Sequence, residues 1–514
     1  MGNLSHLLGR FLGSYDRRGW CTKKVAAILK NTATLHEAHL RHASHYLKIL
    51  READRNYYLG HDTLEPGLKL FDSEWSNIQK GRAWARDNAG YDEEAASLCI
   101  NYPYWGAHIL DLRLGARERI HWLEAALSTA ERLNDRDAQG RSLNDLGLGY
   151  LQLGEIRTAI EFFQKSLVIE QQAGDHRGEM HTLLNLGNAY SILADQHRAI
   201  DTYDKGLRIA RELGDRRGEA LALGNLGLCY RQIGDAEQAI KLHDESLLIS
   251  REIGDRRGEA NAFGNIGIAQ TILGNVRKGI EFHERQLSIA RQLGDLQAES
   301  TALSNLGASY LRLGDYDKAV ELYEQRLTTA QETEDKVGQA AALNNLGVAF
   351  RNIGDLAKAL ECHEKYLVLL REIGDRHGEG NALAGIGLVY MGLSEFQRAI
   401  DHFEKAFAIY EETDDRQAQG TTFGNLGNVY HLRGDLWTAA AYYKQHLEIA
   451  RAVGDKLGQG NALWNISLVV DGLGQRASAI ARAEEALRIY KEIESPHATK
   501  VSERLTRWRS SDGI

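Results

Sequence analysis

The sequence predicts an all-α protein, an α-solenoid built from helix-turn-helix repeats. Three observations predict it. A 40-residue unit recurs nine times between residues 136 and 495 without an insertion. Apolar residues within each unit follow the three- and four-residue spacing of an α-helix. No proline occurs from Arg136 to Ser495, so nothing breaks the helices. Self-similarity at a fixed period of this length indicates a repeat array.

A glycine followed by an aspartate marks the end of most units. These pairs are Gly174-Asp175, Gly214-Asp215, Gly254-Asp255, Gly294-Asp295, Gly374-Asp375 and Gly454-Asp455. Glycine readily adopts the left-handed conformation that ends a helix. Aspartate accepts hydrogen bonds from the first turn of the next helix. We therefore expect each repeat to begin after an aspartate cap.

The unit from Arg216 to Asp255 predicts a helix hairpin. Its first half has a helical face with Leu223, Leu226, Gly227, Tyr230 and Ile233. Gly234 and Asp235 then end this helix and cap the next one. The second half has another helical face with Ala239, Ile240, His243, Leu247, Ile249 and Ser250. We call the two helices of each repeat helix A and helix B.

A glycine recurs in the middle of helix A, although it costs about 1 kcal/mol relative to alanine there. It occurs as Gly147, Gly187, Gly227, Gly267, Gly307, Gly347, Gly387 and Gly427. We expect close approach of helix B to offset this cost, because the facing residue is small. That residue is Ala159, Ala199, Ala239, Gly279, Ala319, Ala359, Ala399, Ala439 or Ala479. The histidines His243, His283 and His363 occupy a helix B position that is aromatic elsewhere, so we assign them to the helix interface.

The motif Leu-Gly-x-x-Tyr in helix A, as in Leu226-Gly227-x-x-Tyr230, and Ala-Ile in helix B resemble the tetratricopeptide repeat. The 40-residue period with its Asn-Leu-Gly core and Gly-Asp exit is similar to the LGN/Pins spindle-orientation adaptors. The resemblance implies a right-handed superhelix. It also implies that an inner groove holds extended segments of partner proteins.

Residues 1–95 depart from the repeat and are predicted to form a helical N-terminal domain. Helical spacing runs from Leu35 to Leu50 and from Leu68 to Arg86, with a polar stretch around Gly60-His61-Asp62 and Pro66 between them. The run Phe71–Ala85 resembles the linker helices before sensor repeats in signal-transducing ATPases of the STAND class. The sequence contains no Gly-x-x-x-x-Gly-Lys-Ser/Thr, the phosphate-binding loop of that class.

The two ends of the array are predicted to be capped. Residues 96–135 carry a degenerate repeat, with Ile120, Leu123, Leu127 and Ala130 in phase with the later units. Residues 496–514 should form a capping helix with a polar outer face, as the end of a solenoid requires. The nine complete repeats then occupy residues 136–495.

Composition indicates a cytoplasmic protein without nucleic-acid or membrane partners. The net charge of −9 gives no reason to expect nucleic-acid binding. No apolar run is long enough to cross a membrane, and Met1 to Trp20 lack the pattern of a leader peptide. The four cysteines, Cys21, Cys99, Cys229 and Cys362, have no metal-binding or redox spacing. The sequence leaves the oligomeric state open.

A catalytic or metal-dependent role is not predicted. The sequence has no nucleophile elbow, His-Glu-x-x-His motif or phosphate loop. Four histidines, His36, His39, His42 and His45, are spaced by three residues and could form a stripe of zinc or nickel ligands. Steps of three drift around a helix, however, and no cysteine or carboxylate pair completes the set. We therefore expect a non-enzymatic protein without a metal or cofactor.

A second stripe on helix A, beside the core stripe, predicts a peptide-binding site. Its second position, the ladder position, is asparagine in seven of nine repeats. Asparagine is a poor helix former, and its amide can both donate to and accept from a peptide backbone. The predicted site residues are Asn185, Asn188, Asn225, Arg231, Asn261, Asn265, Asn305, Asn345, Arg351, Asn381, Asn425, Asn428, Asn461 and Asn465.

The same asparagines could instead bond to the next hairpin and fix the pitch of the array. Asp145 and Gly385 replace asparagine at the ladder position without breaking the repeat, which favours a binding role. Nine hairpins at about 10 Å each give a path of about 90 Å, enough for an extended chain of about 25 residues. A disordered protein segment fits this length better than a small metabolite does.

The sequence thus predicts a scaffold that binds an extended segment of another protein in the groove. The alternative is a regulatory sensor of a STAND-like signalling or defence system, acting on a separately encoded protease or ATPase.

Overall fold

The computed structural model describes residues 20–59 and 63–511, with side chains from residue 34 onward. The polar stretch predicted around Gly60 and most of the segment Met1 to Trp20 lie outside the described residues. The described part contains helices and no strands, so the predicted all-α class is confirmed. Chain contacts divide the protein into two compact units, Met1–Gly254 and Asp255–Ile514.

The first unit contains five N-terminal helices followed by three helix hairpins, which are repeats 1 to 3. The N-terminal helices are α1 (Trp20–Leu59), α2 (Leu64–Asn88), α3 (Glu93–Trp105), α4 (Ala107–Arg113) and α5 (Ala116–Leu133). The hairpins are α6 (Arg136–Gln152) with α7 (Ile156–Ala173), α8 (His176–Ile192) with α9 (Gln196–Leu213), and α10 (Arg216–Gln232) with α11 (Ala236–Glu252).

The second unit contains repeats 4 to 9 and a final helix. Repeats 4 to 6 are α12 (Arg256–Ile272) with α13 (Val276–Leu293), α14 (Leu296–Leu313) with α15 (Tyr316–Glu332), and α16 (Lys336–Ile353) with α17 (Leu356–Ile373). Repeats 7 to 9 are α18 (Arg376–Gly392) with α19 (Phe396–Glu412), α20 (Arg416–Leu432) with α21 (Leu436–Ala452), and α22 (Lys456–Gly472) with α23 (Arg476–Glu492). The final helix is α24 (His497–Ser511).

Within each unit the hairpins stack in chain order. Helix A packs on helix B of its own repeat, and helix B packs on helix A of the next repeat. Helices A of successive repeats also contact each other. Residues on one face of helix A therefore lie beside their counterparts in the neighbouring repeat.

The predicted boundary signals act as expected. The Asp215 carboxylate accepts a hydrogen bond from the Gly218 amide at 2.9 Å, and Asp235 accepts one from Gln238 at 2.9 Å. Gly214 and Gly234 have φ angles of 64° and 91°, which glycine adopts without a steric penalty. Helix A and helix B are therefore both delimited by short-range signals.

The glycine in helix A accommodates a ring from helix B of the same repeat. A β-carbon added at Gly227 would lie 2.6 Å from His243 Cε1, and one at Gly187 would lie 2.6 Å from Tyr203 Cε1. We call the helix B residue the ring position, which is Phe163, Tyr203, His243, His283, Tyr323, His363, Phe403 and Tyr443 in repeats 1 to 8. In repeat 9 both partners change, since Ser467 replaces the glycine and Ala483 replaces the ring.

Sequence reasoning attributed this glycine to the small residue on helix B, and that explanation is incomplete. The eight alanines at the facing position are fully buried, so the helices are close there. The nearest side chain to the helix A glycine is nevertheless the ring, which is four residues after the alanine. Each glycine thus provides space for a buried ring.

The N-terminal helices form a hydrophobic core of their own. Trp75 stacks on Phe71 and Trp122, with ring centroids 5.0 Å and 5.9 Å apart. The Tyr102 hydroxyl donates to the Ala43 carbonyl oxygen at 2.8 Å. Pro66, assigned to a polar linker from sequence, instead lies in the first turn of α2, where its missing N–H has no helical partner to lose.

The predicted degenerate repeat differs from a simple hairpin. Its first half is split into α3 and α4, which meet at Gly106. A β-carbon at Gly106 would lie 2.8 Å from Leu50 Cδ1, so α1 packs closely against the break. Its second half, α5, buries Ile120, Leu123 and Ala130 as expected.

The four histidines near the N-terminus contact different partners. His36 bonds to Asp92 at 2.5 Å, and His39 packs beside Trp84 with ring centroids 6.2 Å apart. His42 and His45 both pack against Tyr46. Among the described residues, no group of three or more histidine, cysteine, aspartate or glutamate side chains is placed to hold a metal ion.

The final helix covers the end of the second unit. Val501, Leu505 and Trp508 are buried on its inner side, and Trp508 packs against Trp464 of repeat 9 at a centroid distance of 6.2 Å. No helix among the described residues combines the length and apolar character needed to cross a membrane.

Substitution of Gly227 by alanine should destabilise repeat 3 by about 1–3 kcal/mol, because the β-carbon would meet the His243 ring in a closely packed interior. The matched control is Gly224→Ala in the same helix, where the β-carbon would contact only Ser246 Oγ at 3.8 Å. That change should stabilise the helix by about 1 kcal/mol, as helix propensity predicts. Hydrogen–deuterium exchange of α10 measures both effects, and equal effects of the two alanines would contradict the ring-on-glycine packing.

The buried histidines should make the protein acid-sensitive. Burial, followed by the nearby charge of Arg231, lowers the pKa of His243 to about 4 from its usual 6.5. Between these two pH values the histidine of the unfolded chain is protonated, whereas that of the folded chain is not. The free energy of unfolding is therefore at its full value above pH 6.5 and decreases as the pH falls towards 4. His243→Phe should weaken this loss, by about 1.4 kcal/mol per pH unit in that window. Urea unfolding at several pH values measures it, with the exposed His197→Gln as the control that should leave the pH dependence unchanged.

Candidate peptide-binding site

The structure places all predicted site residues on helices A. Asn261 and Asn381 are exposed, and the other twelve are half-buried. None of the fourteen is buried in the core. Most amides of the stripe are therefore partly buried. Each can contact either a neighbouring repeat or a bound peptide.

In the first unit the ladder amides bond across repeats. Asn185 Nδ2 donates to Asn144 Oδ1 of repeat 1 at 2.9 Å. Asn225 Nδ2 donates to Asn188 Oδ1 of repeat 2 at 3.3 Å. The structural interpretation of the asparagines therefore applies to repeats 1 to 3.

Other predicted asparagines accept hydrogen bonds from tyrosines of helix B in the same repeat. Tyr203 donates to Asn188 at 2.5 Å and Tyr443 donates to Asn428 at 2.7 Å. Tyr410 and Tyr490 likewise donate to Asn381 at 2.8 Å and Asn461 at 2.7 Å. These bonds occupy the amide oxygen and fix the orientation of each side chain.

The ladder amides of the second unit have no such partners. Within the described residues, no side-chain hydrogen bond is made by Asn265, Asn305, Asn345, Asn425 or Asn465. Each is half-buried. None of their amide atoms is among the fully buried polar atoms that lack a partner, so these amides are open to water or to a ligand. The same residue at the same repeat position is thus a structural bridge in the first unit and an available amide in the second.

The two exceptions at the ladder position differ in kind. Asp145 lies near Arg119, and although burial raises its pKa, the arginine charge opposes that rise. The Asp145 carboxyl group therefore lies where it can offset the charge of the buried Arg119 guanidinium. At Gly385 the His363 ring occupies the space of the missing side chain, because a β-carbon there would lie 2.8 Å from the ring. Sequence reasoning treated the two exceptions alike, whereas their neighbours differ: Asp145 lies near Arg119, and Gly385 packs against His363.

Beside Gly385, helices A of repeats 6, 7 and 8 form a cleft of about 440 Å³. It brings together three predicted residues, Arg351, Asn381 and Asn425. Asn344, His363 and Tyr410 also line it and were not predicted. A glycine in the asparagine ladder was the signal that could have located this cleft.

One cation in the cleft lacks a carboxylate partner. Arg351 is half-buried, burial lowers its pKa, and no ion pair to it occurs among the described residues. His363 is 2 % exposed, and burial, followed by the Arg351 charge, lowers its pKa to about 4. At neutral pH the cleft therefore holds a charged guanidinium beside an uncharged imidazole.

The acid that lines the cleft is already engaged. Asp415 accepts from the Ala418 amide at 2.9 Å and lies 2.8 Å from His377 Nε2. Burial opposes its ionisation, but these hydrogen bonds outweigh it and lower its pKa. Asp415 precedes the first turn of its helix, whereas Arg351 lies in the last turn of its own.

The arginine-rich starts of helix A are paired, so they are not the main candidates for a binding site. Arg216 pairs with Glu219 at 2.6 Å and also with Glu252. Arg376 pairs with Glu412 at 2.9 Å. Exposed pairs of this kind contribute little to stability.

A sequence model described as the tetratricopeptide repeat matches the chain over residues 150–212, 218–292, 261–332, 299–372, 338–412, 378–452 and 418–492. These stretches together cover more than half of the 514 residues. The resemblance inferred from the Leu-Gly-x-x-Tyr motif is thereby confirmed. No curated protein matches the chain by sequence.

Several solved structures are similar to the chain. One is a signal transduction ATPase with numerous domains (STAND) protein with a tetratricopeptide repeat sensor from Pyrococcus horikoshii, which is 15% identical, with 87% of this chain and 68% of that chain covered and a TM-score of 0.53. Another is BtubC (BKLC) from P. vanneervenii, which is 23% identical, with 43% and 92% covered and a TM-score of 0.38. A third is a Rap protein complexed with competence and sporulation factor, at 15% identity, 74% and 99% coverage and a TM-score of 0.47. At these identities the likeness concerns the fold alone.

Proposed function

This chain belongs to the tetratricopeptide repeat family, and we propose that it is a non-enzymatic scaffold that binds an extended segment of a partner protein. The binding surface is the stripe on helices A of repeats 4 to 9. The observation that carries the proposal is the set of half-buried ladder amides without hydrogen-bond partners in the described chain, Asn265, Asn305, Asn345, Asn425 and Asn465.

An extended peptide supplies what these amides lack. Each carboxamide has a donor and an acceptor, and a peptide backbone in extended form presents both along its edge. Ladder positions from Asn265 to Asn465 are separated by five repeat steps. At about 10 Å per step an extended chain of about 15 residues would follow them.

A resemblance in the sequence supports the same function. The 40-residue unit with Asn at the ladder position is similar to LGN/Pins repeats, a family in which the groove holds extended partner segments.

We also propose a cytoplasmic location, because Cys99, Cys229 and Cys362 are free thiols and free thiols suit a reducing compartment.

A second candidate is a regulatory sensor whose N-terminal helices report on the bound segment to a separate effector. It is favoured by a contact between α1 and repeat 3, in which Arg217 Nη1 donates to the Tyr58 hydroxyl at 2.7 Å. The N-terminal part of the first unit is thereby connected directly to its repeat array. The Pyrococcus horikoshii STAND protein with a similar fold also has a tetratricopeptide repeat sensor.

Replacement of two ladder amides should weaken peptide binding. A library of random peptides of about 15 residues, selected on the full-length chain, supplies the probe. The double variant Asn305→Ala with Asn345→Ala should weaken the selected peptide about 10- to 100-fold, because each lost amide removes hydrogen bonds worth about 1 kcal/mol. Fluorescence anisotropy measures the Kd.

The matched control is Asn275→Ala, since Asn275 is exposed at a turn of repeat 4, and its side chain makes no capping hydrogen bond and donates only to Gln270. It should leave the Kd unchanged. Failure to select any peptide, or equal affinity for the double variant and the unchanged chain when both have the same helical circular dichroism, would reject the stripe as the binding surface.

The sensor candidate makes a different prediction. Addition of the selected peptide should change hydrogen–deuterium exchange in residues 50–59, and Arg217→Ala should abolish that change by removing the Tyr58 contact. The control Arg257→Ala alters the corresponding residue of repeat 4, which pairs with Asp295 instead. Exchange that does not respond to the peptide would leave the scaffold as the better description.

A further inference from the structure

The cleft beside Gly385 contains a buried histidine with an unsatisfied nitrogen. His363 Nδ1 has no hydrogen-bond partner, and the side chain is 2 % exposed. Its ring lies between two glycines, since added β-carbons on Gly347 and Gly385 would lie 2.7 Å and 2.8 Å from it. The second glycine belongs to the next repeat, so the histidine faces the cleft through a position that carries a side chain in the other repeats.

Gly385 is not required simply because a histidine occupies the preceding ring position. His283 precedes Asn305 by the same 22 residues that separate His363 from Gly385. A histidine at the ring position therefore coexists with an asparagine at the next ladder position in the same unit. At Gly385 the His363 ring packs directly against the backbone, and both residues line the cleft together with Arg351.

The other polar groups of the cleft can serve a ligand without competing for its charge. The amides of Asn344 and Asn425 make no side-chain hydrogen bond in the described chain, so each can donate or accept. The Asn381 oxygen already accepts from the Tyr410 hydroxyl. Asp415, the acid in the lining, is engaged by His377 and by a backbone amide. The Arg351 guanidinium, which has no ion pair in the described chain, therefore favours an acceptor that carries negative charge.

We propose that this cleft binds a carboxylate, the side chain of an aspartate or glutamate in the extended partner segment. This proposal rests on the proposed function and assigns the cleft as the site that selects an acidic residue. A carboxylate can accept two parallel hydrogen bonds from the Arg351 guanidinium. It carries one negative charge, which matches the single unpaired cation, whereas a phosphate would bring nearly two charges against one.

The net charge of −9 argues that this selectivity is local. Long-range attraction would not bring an acidic segment to an acidic protein. The acidic residue must instead gain from the desolvated guanidinium, where charge-assisted hydrogen bonds are stronger than neutral ones. The ladder amides position the backbone, and the cleft distinguishes one side chain.

The test uses full-length protein and an acetylated, amidated peptide obtained by the selection described above, so that side chains supply its only carboxylates. We expect the selected peptides to share an acidic residue. Its replacement by the neutral amide should weaken binding about 10- to 100-fold, as loss of a hydrogen bond to a charged group does. Arg351→Gln should cause a similar loss for the acidic peptide and almost none for the neutral one. This non-additivity in a double-mutant cycle identifies the pair.

Two further variants separate the cleft from general electrostatics. Lys444→Gln removes a cation from an exposed site on helix B of repeat 8, outside the cleft lining and the stripe, and should not change either Kd. Gly385→Asn restores the usual ladder residue and should remove the preference for the acidic peptide, because the new side chain would meet the His363 ring and crowd the cleft. Unchanged circular dichroism shows that each variant is folded.

The possible failures are distinguishable. If no peptide is selected, the proposed function itself fails. If peptides bind but lack a shared acidic residue, or if Arg351→Gln weakens acidic and neutral peptides equally, the carboxylate site is wrong and the scaffold function stands. Binding that requires a free C-terminal carboxylate and is lost on amidation would also overturn the assignment to a side chain.

Discussion

The packing of a ring against a backbone glycine is the contact on which repeats 1 to 8 depend. A β-carbon at Gly307 would lie 2.5 Å from Tyr323 Cε1, so no larger residue fits while the ring remains in place. Protein interiors are close-packed, and the volume missing at the glycine is supplied by the ring. In repeat 9 the larger and smaller residues change places, since Ser467 replaces the glycine and the small Ala483 replaces the ring. This contact fixes how helix B lies on helix A, and the opposite face of helix A becomes the stripe.

Most of the fold could be predicted from the sequence because its signals are local. An aspartate cap such as Asp215 and a left-handed glycine such as Gly214 act within one turn of helix, so a single chain segment reveals them. The break at Gly106 could not be predicted, because it depends on packing against Leu50, more than fifty residues earlier. Signals that act within one helix turn could therefore be recognised in the sequence. Contacts between residues far apart in the sequence could be recognised only in the structure.

The candidate site was predictable in position and only partly in role. Periodicity placed the asparagines on one face of helix A. It could not show that Asn185 reaches Asn144 at 2.9 Å while Asn305 has no side-chain partner in the described chain, because identical residue types at identical repeat positions give the same sequence signal. For Asn305 and Asn345 the difference arises from neighbours one repeat away. Residues 144 and 188 are asparagines in the first unit, whereas the corresponding residues of repeats 4 and 5 are Gly264, Ile268, Ser304 and Ala308.

The cleft of the second unit depends on Arg351 and Gly385 more than on its buried histidine. A buried polar atom left without a partner costs about 1–3 kcal/mol, and phenylalanine fills the ring position without that cost in repeats 1 and 7. The Nδ1 atoms of His243, His283 and His363 all lack a partner, so repeats 3, 4 and 6 share this cost. Repeat 6 differs because the adjoining ladder residue is a glycine, which lines the cleft together with Arg351. The selectivity that we propose for the cleft therefore comes from the guanidinium charge, and the His363 ring, packed against Gly385, forms part of its wall.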